Sequence, residues 1–164
     1  MNRAGTAGRV TGGVMGLTGG LVNGLVYLLL PAATIPLVGS LRAPELAGAA
    51  PTATSLSLLP VVPVVAVVCA AVGLWLIIGR PLGSARRIGA WALIGGAAII
   101  GIAYLFPFAR VQDELSGSGV TSYGITATSF TGSGFWLALI GAVVTAAGGI
   151  VELTGARAAA AARS

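Results

Sequence analysis

The sequence predicts an all-α integral membrane protein in which four transmembrane helices form one bundle. Three observations lead to this fold class. The 164-residue chain is 56% hydrophobic and 8% charged, whereas soluble domains carry about 25% charged residues. Four apolar segments are long enough to cross the hydrocarbon core of a bilayer, which takes about 20 helical residues. All charged residues except Glu152 lie outside these segments.

The chain is predicted to be a single membrane domain, with spans at residues 14–38, 58–78, 88–108 and 135–153. The connections are an outer loop at 39–57, a cytoplasmic turn at 79–87, a second outer loop at 109–134 and a cytoplasmic tail at 154–164. Glu152 is the only charged residue inside a predicted span, as expected if each mid-bilayer charge costs about 2.5–3.5 kcal/mol. Two prolines, Pro31 and Pro36, are expected to bend or shorten the outer end of the first span.

The arginines predict the orientation of the chain. Seven of the nine lie before the first span, in the 79–87 turn or after the fourth span: Arg3, Arg9, Arg80, Arg86, Arg87, Arg157 and Arg163. The positive-inside rule therefore predicts a multi-pass protein of the cell membrane with both termini in the cytoplasm. A cleaved signal peptide is the alternative for the first segment. That segment is longer than the roughly 7–15 apolar residues typical of such signals.

A row of glycines marks the first span. Gly8, Gly12, Gly16, Gly20 and Gly24 recur every four residues, so they share one slowly drifting face of a helix. Without side chains on that face, a second helix can approach closely, which is how helices associate in lipid. We interpret Gly12, Gly16, Gly20 and Gly24 as a helix-packing face, used either inside the bundle or towards a partner.

Two polar features stand out within the spans. Asn23 and Tyr27 are four residues apart, so their side chains can meet on one helix face. They are interpreted as an interhelical hydrogen-bonding pair or as a polar site for a lipid headgroup, an ion or a quinone. Glu152 is expected to form an ion pair near the cytoplasmic surface, either with Arg157 or with the turn that contains Arg80 to Arg87.

The second outer loop is the least generic connection. At more than 20 residues, it exceeds what a simple connection needs, and long loops often carry contacts. Its second half is rich in β-branched and aromatic residues, so it is compatible with a short β-hairpin or with a mobile loop. The apolar residues Tyr123, Ile125 and Phe130 are the candidate external contacts.

The composition excludes several functions. The chain has no His, no Lys and one Cys, Cys69, which removes a histidine base, a CxxC pair and the lysine of a P-loop. We therefore predict that the protein has no catalytic centre, no cofactor and no metal. No basic run is longer than Arg86-Arg87, which argues against nucleic acid as a partner.

These features predict an accessory, assembly or scaffolding component of a membrane complex. Its expected partners are the lipid bilayer and other membrane proteins or copies of itself. The alternative is a small oligomeric channel or carrier that uses the glycine face and the polar pair Asn23 and Tyr27. The absence of charge in the middle of the spans weighs against that alternative, because most transporters have an intramembrane charge.

Overall fold

The computed structural model describes residues 3–35, 39–45, 58–79, 83–117 and 127–161, and most of them are helical. The long helices are α1 (Arg3–Leu29), α2 (Val61–Ile78), α3 (Ser84–Gly117) and α4 (Ser133–Ala161). Two short strands, β1 (Pro31–Ile35) and β2 (Gly39–Arg42), follow α1, and a 3₁₀ turn (Ala127–Phe130) precedes α4.

All four helices are long and apolar enough to cross a membrane. The apolar stretches are Val10–Leu29, Val61–Ile78, Ser84–Asp113 and Ser133–Gly155. The outward surface carries large apolar side chains such as Val67, Trp91 and Val143, each at least 60% exposed. A soluble bundle rarely exposes so much apolar surface, whereas lipid solvates it. The prediction of four apolar membrane helices is confirmed.

The helices form an antiparallel ring in chain order. Helix α1 packs against α2 and α4, and α3 packs against the same two helices. Leu93 of α3 is fully buried and crosses the centre of the ring to reach Gly16 of α1. This up-and-down arrangement is common for four helices.

The core is best developed at the end of the bundle next to β1 and β2, which we term the hairpin end. Phe135, in the first turn of α4, organises an aromatic group there. Its ring centroid lies 6.3 Å from that of Tyr104 in an edge-to-face arrangement and 5.3 Å from that of Phe108. Trp136 packs edge-on against the same ring at 5.1 Å. Aromatic pairs at these distances stabilise the α3–α4 contact.

The helix of the first span ends well before residue 38, a shortening that the sequence predicts from its prolines. Helix α1 stops at Leu29, and the chain continues as strand β1 instead of a helix to Val38. Pro31 explains the change, because proline lacks an N–H group and its ring clashes with the preceding turn of a helix. As the first residue of a strand, Pro31 is tolerated. Residues 36–38 lie outside the described part of the chain.

The structure contains a β-hairpin in the connection after α1. Strands β1 and β2 pair antiparallel, with Ile35 opposite Gly39, so the described hairpin lies between α1 and α2. In the second outer loop, residues 127–130 form a 3₁₀ turn. Residues 118–126, where the predicted hairpin would lie in large part, are outside the described residues. Thr131, just after this turn, makes an isolated bridge with Ala33 of β1. The two outer loops therefore touch each other above the bundle.

Helix α3 is longer than the predicted third span. It runs for 34 residues and continues through Pro107 to Gly117, which corresponds to about 51 Å at 1.5 Å per residue. The hydrocarbon core is only about 30 Å thick, so the last turns of α3 extend beyond it at the hairpin end. Arg110 lies on this extension, with its guanidinium carbon 5.4 Å from the centre of the Phe106 ring.

Candidate functional site

A buried ion pair joins α3 to α4 at the end of the bundle opposite the hairpin, which we term the ion-pair end. Arg86 Nε donates a hydrogen bond to Glu152 Oε2 at 2.6 Å. The residues are 4% and 1% exposed, respectively. The two partners predicted for Glu152 are Arg157 and the turn that contains Arg80 to Arg87. The structure shows the second, through Arg86. Both side chains are enclosed by the bundle, a burial that the sequence alone does not predict.

Glycines on two helices make room for this pair. A Cβ atom placed on Gly12 of α1 would lie 2.6 Å from Glu152 Oε1 and 2.9 Å from the carbonyl oxygen of Gly148. A Cβ atom on Gly155 of α4 would lie 2.7 Å from Arg86 Nη2. Larger residues at Gly12 or Gly155 would therefore push into the charged groups. The ion pair is thus enclosed by α1, α3 and α4 together.

The hydrogen bonding of the pair is incomplete. Arg86 Nη2 and Glu152 Oε1 are buried and have no partner among the described residues. A guanidinium can bind a carboxylate through two parallel hydrogen bonds, but here it makes one. The site therefore holds one unused donor and one unused acceptor. Buried ionisable groups in membrane spans are default candidates for function. The sequence predicts an ion pair of Glu152 but not its burial.

The glycines of the predicted packing face lie against three different helices. Gly12 faces α4, Gly16 would bring a Cβ to 2.7 Å from Leu93 Cδ1 of α3, and Gly20 faces the backbone of α2. Gly24 is less crowded, with 3.8 Å between its Cβ position and that of Ala66. Gly12, Gly16 and Gly20 are buried, so this part of the row is used inside the bundle. The surroundings of Gly8 are outside the described part of the chain.

The structure adds glycines that the four-residue pattern missed. Gly13 packs against α2, where its Cβ position lies 3.0 Å from the carbonyl oxygen of Gly73. Gly19 packs against α4 at Gly141 and Thr145. The signal in the sequence is a spacing of seven: Gly12 and Gly19 face α4, whereas Gly13 and Gly20 face α2. Residues seven apart lie on the same helix face after two turns.

Asn23 and Tyr27 do not form the predicted pair. Asn23 Nδ2 donates to the carbonyl oxygen of Gly19 at 2.9 Å, one turn back in its own helix. Asn23 Oδ1 is buried without a partner among the described residues, and the side chain lies against Gly141 of α4. Tyr27 belongs to the apolar core cluster at the hairpin end.

Thr145 is a second polar residue on the α1–α4 contact, and sequence analysis gave it no polar role. Its Oγ1 donates to the carbonyl oxygen of Gly141 at 2.9 Å, so it repeats the pattern of Asn23 on the facing helix. Both polar side chains thus bond to their own helices and do not bridge α1 and α4. Tyr104 is a further missed group, because its hydroxyl is buried without a partner in the described structure.

The predicted external contacts are only partly described. Phe130 is half-buried in the 3₁₀ turn at the hairpin end. Tyr123 and Ile125 lie outside the described residues. Within the part of the chain that the structure covers, no three Cys, Asp or Glu side chains converge as metal ligands would.

Comparison with known proteins places the chain in no established group. Neither a protein-family model, nor a curated protein, nor a solved structure matches it. The function is therefore argued from the residues and their geometry.

Proposed function

We propose that this protein is a non-catalytic accessory, assembly or scaffolding component of a membrane complex, in the cell membrane with both termini cytoplasmic. The supporting observation is the tight interior of the bundle. A Cβ atom on Gly20 would lie 2.6 Å from the backbone nitrogen of Ala70 in α2, and one on Gly148 would lie 2.7 Å from the carbonyl oxygen of Gly12 in α1. At these levels the helices touch backbone to backbone.

The polar groups of the interior are also engaged locally. Asn23 and Thr145 each bond to a carbonyl of their own helix, and Arg86 is engaged by Glu152. A reaction centre needs polar groups that converge on a shared space. These local bonds support the bundle, although Asn23 Oδ1, Arg86 Nη2, Tyr104 Oη and Glu152 Oε1 have no partner among the described residues. The outer surfaces are left for interaction with other molecules.

The hairpin end is the surface best suited to a partner outside the hydrocarbon. Strand β1, the turn with Phe130 and the extension of α3 lie there, and the Ala33–Thr131 bridge holds the two loops together. Segment 118–126, which contains Tyr123 and Ile125, joins the end of α3 to that turn. A partner that bound this segment would meet a platform built from both outer loops.

Affinity purification tests this proposal. In the test variant, residues 118–126 are replaced by a Gly/Ser linker of equal length, while the Ala127–Phe130 turn and Thr131 are kept. The control replaces the same number of residues, 48–56, in the first outer loop. We expect the test variant to insert normally but to lose the membrane proteins that co-purify with the native chain, while the control keeps them. Equal recovery of partners with both variants would refute a docking role for this segment.

The alternative function, a small oligomeric channel or carrier, is favoured by one observation. The Arg86–Glu152 pair places a charged acid inside the bundle, and such groups often line ion and proton pathways. Proteoliposomes containing a pH-sensitive dye test this directly. A proton flux under an imposed membrane potential that Glu152→Gln abolishes would support a carrier. A defined homo-oligomer in mild detergent would support a pore, whereas co-purification with other subunits would support the accessory function.

A further inference from the structure

The depth of the ion pair in the membrane indicates which molecules could form hydrogen bonds with its unpartnered donor and acceptor. Arg86 lies in the first turn of α3, and Glu152 lies one turn before Gly155, where the apolar stretch of α4 ends. Both residues are therefore at the boundary between the hydrocarbon and the polar headgroups. Phospholipid headgroups occupy this depth at all times.

The charges around the site restrict the ligand. Arg86 Nη2 is an unused donor, and Glu152 Oε1 is an unused acceptor. An anion alone would be repelled by Glu152, and a cation alone would be repelled by Arg86. A zwitterion that carries both an acceptor anion and an N–H donor matches both groups, and satisfying buried donors and acceptors is favourable.

We propose that the ion-pair end binds the headgroup of a phospholipid with a primary amine, of the phosphatidylethanolamine type. A phosphate oxygen accepts a hydrogen bond from Arg86 Nη2, and the ammonium group donates one to Glu152 Oε1. Arg86 Nη2 lies next to Gly155, which is half-exposed and has no side chain. Arg87, the next residue, is exposed and takes no part in this contact. This inference does not depend on the proposed accessory function.

The experiment compares three headgroups on the purified full-length protein. The protein is placed in nanodiscs of phosphatidylcholine that contain a minor fraction of phosphatidylethanolamine or of phosphatidylglycerol, and native mass spectrometry then counts the lipids that remain bound. Choline carries the same charges as ethanolamine but no N–H donor, and glycerol carries no ammonium group. We expect one phosphatidylethanolamine to be retained about tenfold better than phosphatidylcholine, as one charge-assisted hydrogen bond provides.

Two variants locate the lipid. The double substitution Arg86→Met with Glu152→Met removes both polar groups together, a change that bundles often tolerate, and it should abolish the preference. Arg87→Gln removes a neighbouring charge but keeps the pair, and it should leave the preference within about threefold of native. A preference that survives the double substitution but is lost with Arg87→Gln would place the lipid on the exposed arginine and overturn the proposal.

A series of N-methylated lipids decides the question even if the double variant does not fold. Retention by the native protein should persist with monomethyl- and dimethyl-phosphatidylethanolamine, which keep an N–H group, and fall with phosphatidylcholine. Equal retention across the series would show that water or no ligand meets the two groups, and the proposal would be wrong.

Discussion

Gly20→Ala should weaken the bundle more than its small size suggests. A Cβ atom at Gly20 would lie 2.6 Å from the backbone nitrogen of Ala70 and 2.7 Å from the carbonyl oxygen of Ala66. Both atoms belong to the backbone of α2, so no side chain can rotate away. Helices α1 and α2 must separate to admit the methyl group.

The magnitude follows from two opposing effects. Replacing glycine by alanine in a helix interior contributes about 0.5–1 kcal/mol of stability, because it restricts the unfolded chain. Overpacking a tight contact costs about 1–3 kcal/mol, and the rigid backbone atoms at Gly20 favour the upper part of that range. We therefore expect a net destabilisation of about 1–2 kcal/mol.

Gly24→Ala is the matched control, one turn further along the same helix. Its Cβ position lies 3.8 Å from the Cβ atom of Ala66, which is ordinary van der Waals contact. This variant should keep the gain from alanine without the clash, so its stability should equal or exceed that of the native protein. The assay is thermal unfolding in mild detergent, followed by tryptophan fluorescence and by elution volume.

A second control tests whether replacing glycine by alanine lowers stability in detergent even where nothing packs against the glycine. Gly101 has no atom within 4 Å of its Cβ position, so Gly101→Ala should also be neutral or stabilising. The prediction is a difference of about 2–3 kcal/mol between Gly20→Ala and the two controls. If all three variants unfold at the same temperature, α1 and α2 do not touch as described and the packing argument fails.

Three other predictions test the ion pair, the polar core and the topology. Glu152→Ala should destabilise the protein by about 3–5 kcal/mol because it leaves the Arg86 charge buried and unpaired; an unfolding midpoint equal to that of the native protein would mean that water reaches Arg86. Asn23→Leu should change stability by less than about 1 kcal/mol in the same assay, because it removes a local hydrogen bond and an unpartnered oxygen together. Phosphatase and fluorescent-protein reporters should place Ser164 in the cytoplasm and Gly119 outside, and the opposite result for Ser164 would show that a span is miscounted.

The four helices could be predicted from the sequence because the bilayer sets a length that apolar segments must meet. The end of α1 could not be placed by that criterion. Residues 31–35 are apolar enough to extend a span, but Pro31 ends the helix and the same residues form β1. Apolar composition alone does not distinguish a buried strand from the last turns of a helix.

Only part of the candidate site could be predicted from the sequence. The opposite charges of Arg86 and Glu152 and their position near span ends are visible in the sequence, and they limited the partners to two. Their burial is not visible, since it depends on Gly12 of one helix and Gly155 of another. The seven-residue spacing of glycines on α1 indicates two separate helix contacts, one with α4 and one with α2. The four-residue spacing instead assigns Gly12 and Gly20, which contact different helices, to one face.

The contact between α1 and α4 joins the first and last helices of the chain. During synthesis, α1 enters the membrane long before residue 133 leaves the ribosome, because chains emerge from the N-terminus. Until α4 is in the membrane, Gly19 has no contact with Gly141 and Thr145, and the side-chain amide of Asn23 is exposed to lipid. The α4 helix of a second copy can occupy the same groove. Domain-swapped dimers are therefore the expected misassembly of this fold when α4 is delayed or truncated.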